Sequence, residues 1–202
     1  HGADGPGNTP ALSYALSLAV SEGTVSGLAR EGVAIRLYEN GGVITGSTAT
    51  TEGGINAGNT IFTLSVSGTG VVTLTQMQEI DHANNSDTSA PYDDQITQLA
   101  TGLVNLTATA TITDQEGDSA TDSEVVDLGG NVRFADDGPS INVTQTNEAG
   151  TVLLTQDADT TGANSDTAVS TANFGGVFTI ASQSHGADGP GNTPALSYAL
   201  SL

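Results

Sequence analysis

Apolar and polar residues alternate with a period of two over much of this chain. Between residues 11 and 20, Leu12, Tyr14, Leu16, Leu18 and Val20 are separated by Ser13, Ala15, Ser17 and Ala19. Between residues 104 and 112, Val104, Leu106, Ala108, Ala110 and Ile112 interleave with Asn105, Thr107, Thr109 and Thr111. Val33, Ile35 and Leu37 repeat the pattern with Arg36 turned outward, and Phe62, Leu64 and Val66 do so again. Side chains of a strand point alternately to its two faces, so these runs predict half-buried antiparallel strands, one face on a core and one in water.

Turn residues separate the runs. Asn40-Gly41 lies between VAIRLY and VITGS, a strong signal for a tight hairpin. Ser67-Gly68-Thr69-Gly70 divides TIFTLSV from VVTLTQM. The pattern predicts roughly ten short strands and one short helix over residues 93–101. Many short strands with regular turn signals indicate an all-β sandwich or barrel, and the opposed termini that a tandem array needs favour the open sandwich.

Residues 1–18, HGADGPGNTPALSYALSL, recur unchanged as residues 185–202. Identity over so long a run is not chance, and it predicts a parent protein built from near-identical tandem repeats, each about 184 residues long. Phe134-Ala135-Asp136-Asp137-Gly138-Pro139-Ser140 joins two strand-like runs with turn residues and a proline that cannot continue a sheet interior. Residues 1–135 then form the C-terminal part of one repeat, 136–139 the inter-domain linker, and 139–202 the N-terminal part of the next. An ordinary surface turn within one domain is the competing reading, and two subdomains per period stay open.

Composition changes the picture through charge. Twenty-three acidic residues face three basic ones, Arg30, Arg36 and Arg133, with no lysine and a net charge of −20. Nucleic acid is excluded as a natural partner, because phosphate binding needs a cationic surface. The same charge argues against docking on an anionic membrane surface. No apolar run approaches the roughly 18 residues of a membrane span. Cysteine is absent, so no disulfide staples the fold.

Self-repulsion on this scale calls either for a well-solvated surface or for cations. Asp114-Gln115-Glu116-Gly117-Asp118 sets three carboxylates in five residues at the end of the run over 104–112. Calcium takes six to eight oxygen ligands in flexible geometry and suits such a turn. The bland reading is a solvated β-turn, since Asp and Gly are ordinary turn formers. The loop lacks the later glutamate of an EF-hand. Asp122 and Asp127 follow, then Asp136 and Asp137 in the linker as candidate partners, and Glu148 beyond. Weaker candidates are Asp157 and Asp159 with Asp166, Tyr92-Asp93-Asp94 with Asp81, and Asp4 with its repeat Asp188.

The run TITDQEGDSATD, followed about twenty residues later by FADDGPSINV, resembles the repeat ending of type I-secreted, RTX-type bacterial adhesins. The resemblance covers the 184-residue period loosely, and its specific part is the aspartate loop with the DDGP junction. It implies an immunoglobulin-like antiparallel β-sandwich acting as an extender, a structural spacer of an extracellular cell-surface adhesin used in adhesion and biofilm formation. It further implies calcium at domain junctions, with Asp114, Glu116, Asp118, Asp136 and Asp137 as ligands, and neighbouring identical repeats as partners. The glycine-rich nonapeptide of the secretion β-roll is absent.

Enzymatic function is not expected. Cysteine and lysine are missing, His1 and His185 are one repeat position, and His82 reads as an exposed loop residue beside Asp81. The alternative is a carbohydrate- or ice-binding module using the row Thr107, Thr109, Thr111, although threonine also favours any surface strand. A last expectation concerns chain association. Four linker residues span at most about 14 Å, less than the roughly 20–35 Å length of a sandwich. Residues 139–202 of one molecule are therefore expected to complete residues 1–135 of another, head to tail.

Overall fold

The computed structural model describes residues 5–83, 95–160, 162, 167–187 and 189–202. All regular structure among them is β-strand, with three short 3-10 turns and no α-helix. The chain divides into two compact units, His1–Asp137 and Gly138–Leu202.

The first unit begins with β1 (Leu12–Leu18), β2 (Val25–Arg30), β3 (Val33–Asn40), β4 (Val43–Ser47), β5 (Thr60–Val66) and β6 (Val72–Gln76). It continues with β7 (Ile96–Gln98), β8 (Val104–Thr113), β9 (Ser119–Asp127) and β10 (Arg133–Ala135). Strands β2 to β6 form a meander in sequence order, β1-β8-β9 a second sheet, and β7-β10 a two-stranded pair, all antiparallel.

Along much of β1, β3 and β5 burial follows the alternation read from the sequence. Along β8 only Val104 is buried, and both faces beyond it are half-buried, with Thr111 exposed. Ile35 and Leu37 of β3, Phe62 and Leu64 of β5, Leu16 of β1 and Val104 of β8 enter one core with Leu28, Ile44, Leu99 and Phe134. Several positions depart from the pattern, Leu12 being exposed and Tyr38 buried. Val33 is exposed, and Arg36 is half-buried rather than free in water, its Nη1 donating to the Gly23 carbonyl at 2.6 Å.

The tight hairpins follow their residues. Asn40 pairs with Val43, so Gly41 and Gly42 form the loop, both at positive φ as a type I′ turn requires. Arg30 pairs with Val33, which places Glu31 at φ 49°, a conformation that usually favours glycine. The Asp81 carboxylate holds it there by accepting the N–H groups of Glu31 at 2.6 Å and Gly32 at 2.8 Å.

Two bulges are repaired by buried serines. Register shifts between Val25 and Ala29, where the Ser26 hydroxyl donates to the Ile35 carbonyl and accepts the Leu28 N–H. It shifts again between Gly46 and Ser47, where the Ser47 hydroxyl donates to the Asn59 carbonyl and accepts the Ala49 N–H. Each hydroxyl satisfies backbone groups that the broken ladder leaves without partners.

The expected helix over residues 93–101 is not formed. Ile96–Gln98 is strand β7, paired with Arg133–Ala135. The backbone of the Phe134 segment offers this stretch a ladder, and tertiary pairing overrides a weak local preference. Residues 93 and 94 lie outside the described residues.

The second unit holds β11 (Ser140–Gln145) and β12 (Phe178–Ser184), one antiparallel pair with a bulge at Asn142/Val143. Among its described residues Val177 is the buried apolar one, while Ile141, Val143, Val152, Leu153 and Leu154 are exposed. The second copy of LSYALSL, residues 196–202, forms no strand. Leu200 is fully exposed, whereas its counterpart Leu16 in β1 is 4 % exposed. Tyr198 leans on Phe178, ring centroids 6.1 Å apart.

Gly46 stands opposite Phe62, and a Cβ there would meet the Phe62 ring at 2.3 Å. Gly46→Ala is therefore expected to cost roughly 1–3 kcal/mol of stability through overpacking. Gly53→Ala, whose Cβ meets nothing within 4 Å, is expected to stay within about 0.5 kcal/mol. Urea unfolding of the two variants checks the difference.

Candidate functional site

The carboxylate loop closes the β8–β9 hairpin beyond the pair Thr113–Ser119. The Asp114 N–H donates to the Asp118 carbonyl at 2.9 Å, and Gly117 turns the chain at φ 98°. Oδ1 of Asp114 accepts two backbone N–H groups, from Glu116 at 3.1 Å and Asp118 at 2.9 Å. One carboxylate oxygen is thus committed to shaping the turn, as in an Asx turn. The Glu116 and Asp118 side chains belong to exposed residues.

A short N-terminal segment clamps the base of this loop. Pro6 bridges to Asp114, and the N–H groups of Gly7 and Asn8 donate to the Thr113 carbonyl. The Asn8 amide donates to the Thr111 carbonyl at 3.1 Å and accepts the Thr113 N–H at 2.7 Å. A Cβ on Gly7 would lie 2.1 Å from the Asp114 carbonyl oxygen, so only glycine permits this approach.

The linker carboxylates have a separate setting. Asp136 donates its N–H to the Gln95 carbonyl, and its Oδ1 accepts the Asp137 N–H at 2.9 Å. The same oxygen lies 3.5 Å from Nδ1 of His82, whose side chain is 6 % exposed. Nε2 of His82 is 3.0 Å from the Phe134 carbonyl. A carbonyl only accepts, so Nε2 donates to it, while Nδ1 faces the carboxylate without a hydrogen bond of good geometry. The His82 side chain is therefore largely covered, not that of the exposed loop residue its sequence context predicts. Burial follows from the apolar Ile80 two residues earlier, 1 % exposed, which draws the segment against the core. No spacing in the sequence pairs residue 82 with residue 136.

Other predicted ligands serve as caps. Asp127 accepts the Gly102 N–H at 2.7 Å and the Gly129 N–H at 2.8 Å through its two oxygens. Asp81 is the hairpin cap described above, and Asp122 accepts the Ser123 N–H. Glu148, Asp157 and Asp159 lie exposed in the second unit, the two aspartates in the 3-10 turn Asp157–Thr160. Asp4, Tyr92, Asp93, Asp94, Asp166 and Asp188 lie outside the described residues. Among the described residues no three His, Asp or Glu side chains converge as a metal-holding group. Thr107, Thr109 and Thr111 share one face of β8, opposite Val125, Ser123 and Thr121 of β9, and the Thr111 and Thr121 hydroxyls bond each other at 2.8 Å.

Among the described residues one carboxylate departs clearly from its ordinary acidity. Glu79 receives the Arg30 Nε–H at 2.6 Å, and that hydrogen bond holds its pKa below the usual carboxylate value. A folded pKa below the unfolded one contributes stability that is present above the unfolded pKa and fades as pH falls through the folded value. Glu79→Gln is accordingly expected to flatten the loss of stability below about pH 4.5, which acid titration at fixed urea measures. The cap role of Asp114 makes a second expectation. Asp114→Asn keeps an accepting oxygen and leaves stability in chelator near that of the parent, whereas Asp114→Ala costs about 1 kcal/mol.

No curated protein matches this chain, and no solved structure does. A family profile covers residues 1–129, from the clamp segment through β9 and its Asp127 cap. That match spans more than half of the chain, which therefore belongs to the family described as Domain of unknown function (DUF5801).

Proposed function

We propose that this chain is a piece of a structural spacer, an extender of a large bacterial cell-surface adhesin, working outside the cell as one of many joined repeats. The observation that carries the reading is the unchanged recurrence of residues 1–18 at 185–202. A spacer gains reach from every added copy, whereas a catalytic or ligand-binding module gains little from a long row of neighbours. Side chains of the β1-β8-β9 sheet and of the five-stranded meander share one core, which supports an immunoglobulin-like sandwich as the repeating body. The partners on this reading are the neighbouring repeats of the same chain.

Calcium belongs to the same proposal. The charge of −20 and the acidic loop at Asp114–Asp118 favour a hard cation, and carboxylate oxygens are its natural donors. The described side chains do not themselves gather a full shell, so an ion at Glu116 and Asp118, or at Asp136 and Asp137, draws its remaining oxygens from water or from rearranged side chains.

An ion that binds only the folded chain stabilises it by RT ln(1 + [Ca²⁺]/Kd), about 2.7 kcal/mol at a hundredfold excess over Kd. Melting temperature is expected to rise by several degrees between chelator and calcium. Small-angle scattering of a chain holding several 184-residue periods is expected to report a longer, narrower particle with calcium. Asp136→Ala combined with Asp137→Ala is expected to reproduce the chelated curve. Superimposable melts and scattering curves in all conditions would remove calcium from the reading.

A further inference from the structure

His82 and Asp136 meet from distant parts of the first unit, and both side chains are covered. The imidazole is 6 % exposed and the carboxylate 16 %. Buried polar groups are nearly always hydrogen-bonded, because an unmade bond leaves the group's full desolvation uncompensated. Nδ1 of His82 is the one buried side-chain nitrogen or oxygen among the described residues without such a partner. It stands 3.5 Å from Oδ1 of Asp136. Covered charges are paired or coordinate metals, so a ring nitrogen facing a carboxylate oxygen calls for a cation between them.

A proton and a metal ion both suit that chemistry, and the distance separates them. A protonated Nδ1 donating to a carboxylate closes to about 2.7–2.9 Å. Two ligands of a tetrahedral zinc ion, each about 2.0–2.1 Å from the metal, lie about 3.4 Å apart. The separation of 3.5 Å is that of a zinc chelate rather than of an ion pair. The other ring nitrogen agrees. Nε2 donates to the Phe134 carbonyl at 3.0 Å. Metal-binding histidines characteristically make this outer contact, which fixes the ring and turns its second nitrogen toward the ion. Oδ1 of Asp136 accepts the Asp137 N–H at 2.9 Å and keeps a second lone pair. Asp81, adjacent to His82, has both oxygens engaged at the β2–β3 turn.

We infer that Nδ1 of His82 and Oδ1 of Asp136 bind a zinc ion, with water completing the four positions. Among the described residues no third His, Asp or Glu side chain joins them, so the site is open and modest in affinity. It ties the segment after β6 to the residues just beyond Phe134. The inference does not rest on the calcium reading. Calcium takes oxygen ligands, whereas imidazole beside carboxylate selects zinc.

Imidazole nitrogen resonances of the parent chain read the site directly, first in chelator-treated neutral buffer and then with zinc or calcium. The chain has three histidines, and each ring can be followed separately. Zinc is expected to shift Nδ1 of His82 strongly and to leave the proton on Nε2, while calcium moves neither nitrogen. A His82 ring that carries protons on both nitrogens, with and without zinc, shows that a proton fills the position and overturns the inference.

Thermal melts give a second readout. Zinc well above its Kd is expected to raise the midpoint of the parent by several degrees. His82→Gln and Asp136→Asn are each expected to lose that rise, although Asp136→Asn keeps an oxygen for the Asp137 N–H. His185→Gln is expected to retain it. His82→Gln is also expected to keep whatever rise calcium gives the parent, so the zinc site and the calcium reading fail separately. An unchanged zinc response in His82→Gln places the metal elsewhere on the acidic surface and overturns the inference. Where a variant is too unstable to compare, the ring resonances of the parent decide alone.

Discussion

The contact of Phe134 with Phe62 holds together most of what the first unit presents. Their rings lie 5.2 Å apart at 51°, a tilted geometry of the kind worth about 0.5–1.5 kcal/mol beyond the area it buries. Gly46 makes room for Phe62, and Phe62 in turn receives a ring from a strand only three residues long. Once Phe134 is fixed, its carbonyl holds the His82 ring, and Asp136 follows two residues later beside that ring. The linker carboxylates are thus anchored to the hydrophobic core through an aromatic pair, although they are themselves polar residues at the boundary between units.

A second constraint is how an acidic chain uses its carboxylates. Asp81, Asp114 and Asp127 each accept two backbone N–H groups, at the β2–β3 turn, the β8–β9 turn and the loop after β9. An ionised carboxylate is acceptor-only and satisfies such turns well, with the added strength of a charged acceptor. With no lysine and three arginines, side-chain cations can balance few of the acids. Backbone N–H groups take over part of that balancing. Counting aspartates therefore overstates the number free to meet a metal ion.

The fold was legible where pattern and turn chemistry agreed. The alternations in residues 11–20 and 104–112 became β1 and β8, and the runs around Ile35 and Phe62 became β3 and β5. Asn40-Gly41 marked its hairpin to within one residue, since Gly41 and Gly42 occupy the loop. Strand β7 was not legible, because its partner lies some 35 residues away and three residues carry too little periodicity to distinguish strand from helix. At the candidate site, the carboxylate positions were plain in the sequence, but the engagement of Asp114 by backbone N–H groups was not. His82 shows the same limit. Its ring is held by a carbonyl 52 residues distant, a contact that no local pattern announces. The two fates of LSYALSL show why: strand formation belongs to the acceptor as much as to the sequence.

The way the three arginines are held has a consequence for proteolysis. Arg30 is bound to Glu79, Arg36 to the Gly23 carbonyl and Arg133 to the Gly130 carbonyl, and each lies in a paired strand. A protease that cuts after basic residues must first draw its target segment into an extended, unpaired form. On this chain it finds no lysine in any loop and no arginine outside a ladder among the described residues. Trypsin-like digestion is therefore confined to molecules that have already opened a sheet, and the rate of cutting becomes a gauge of that opening.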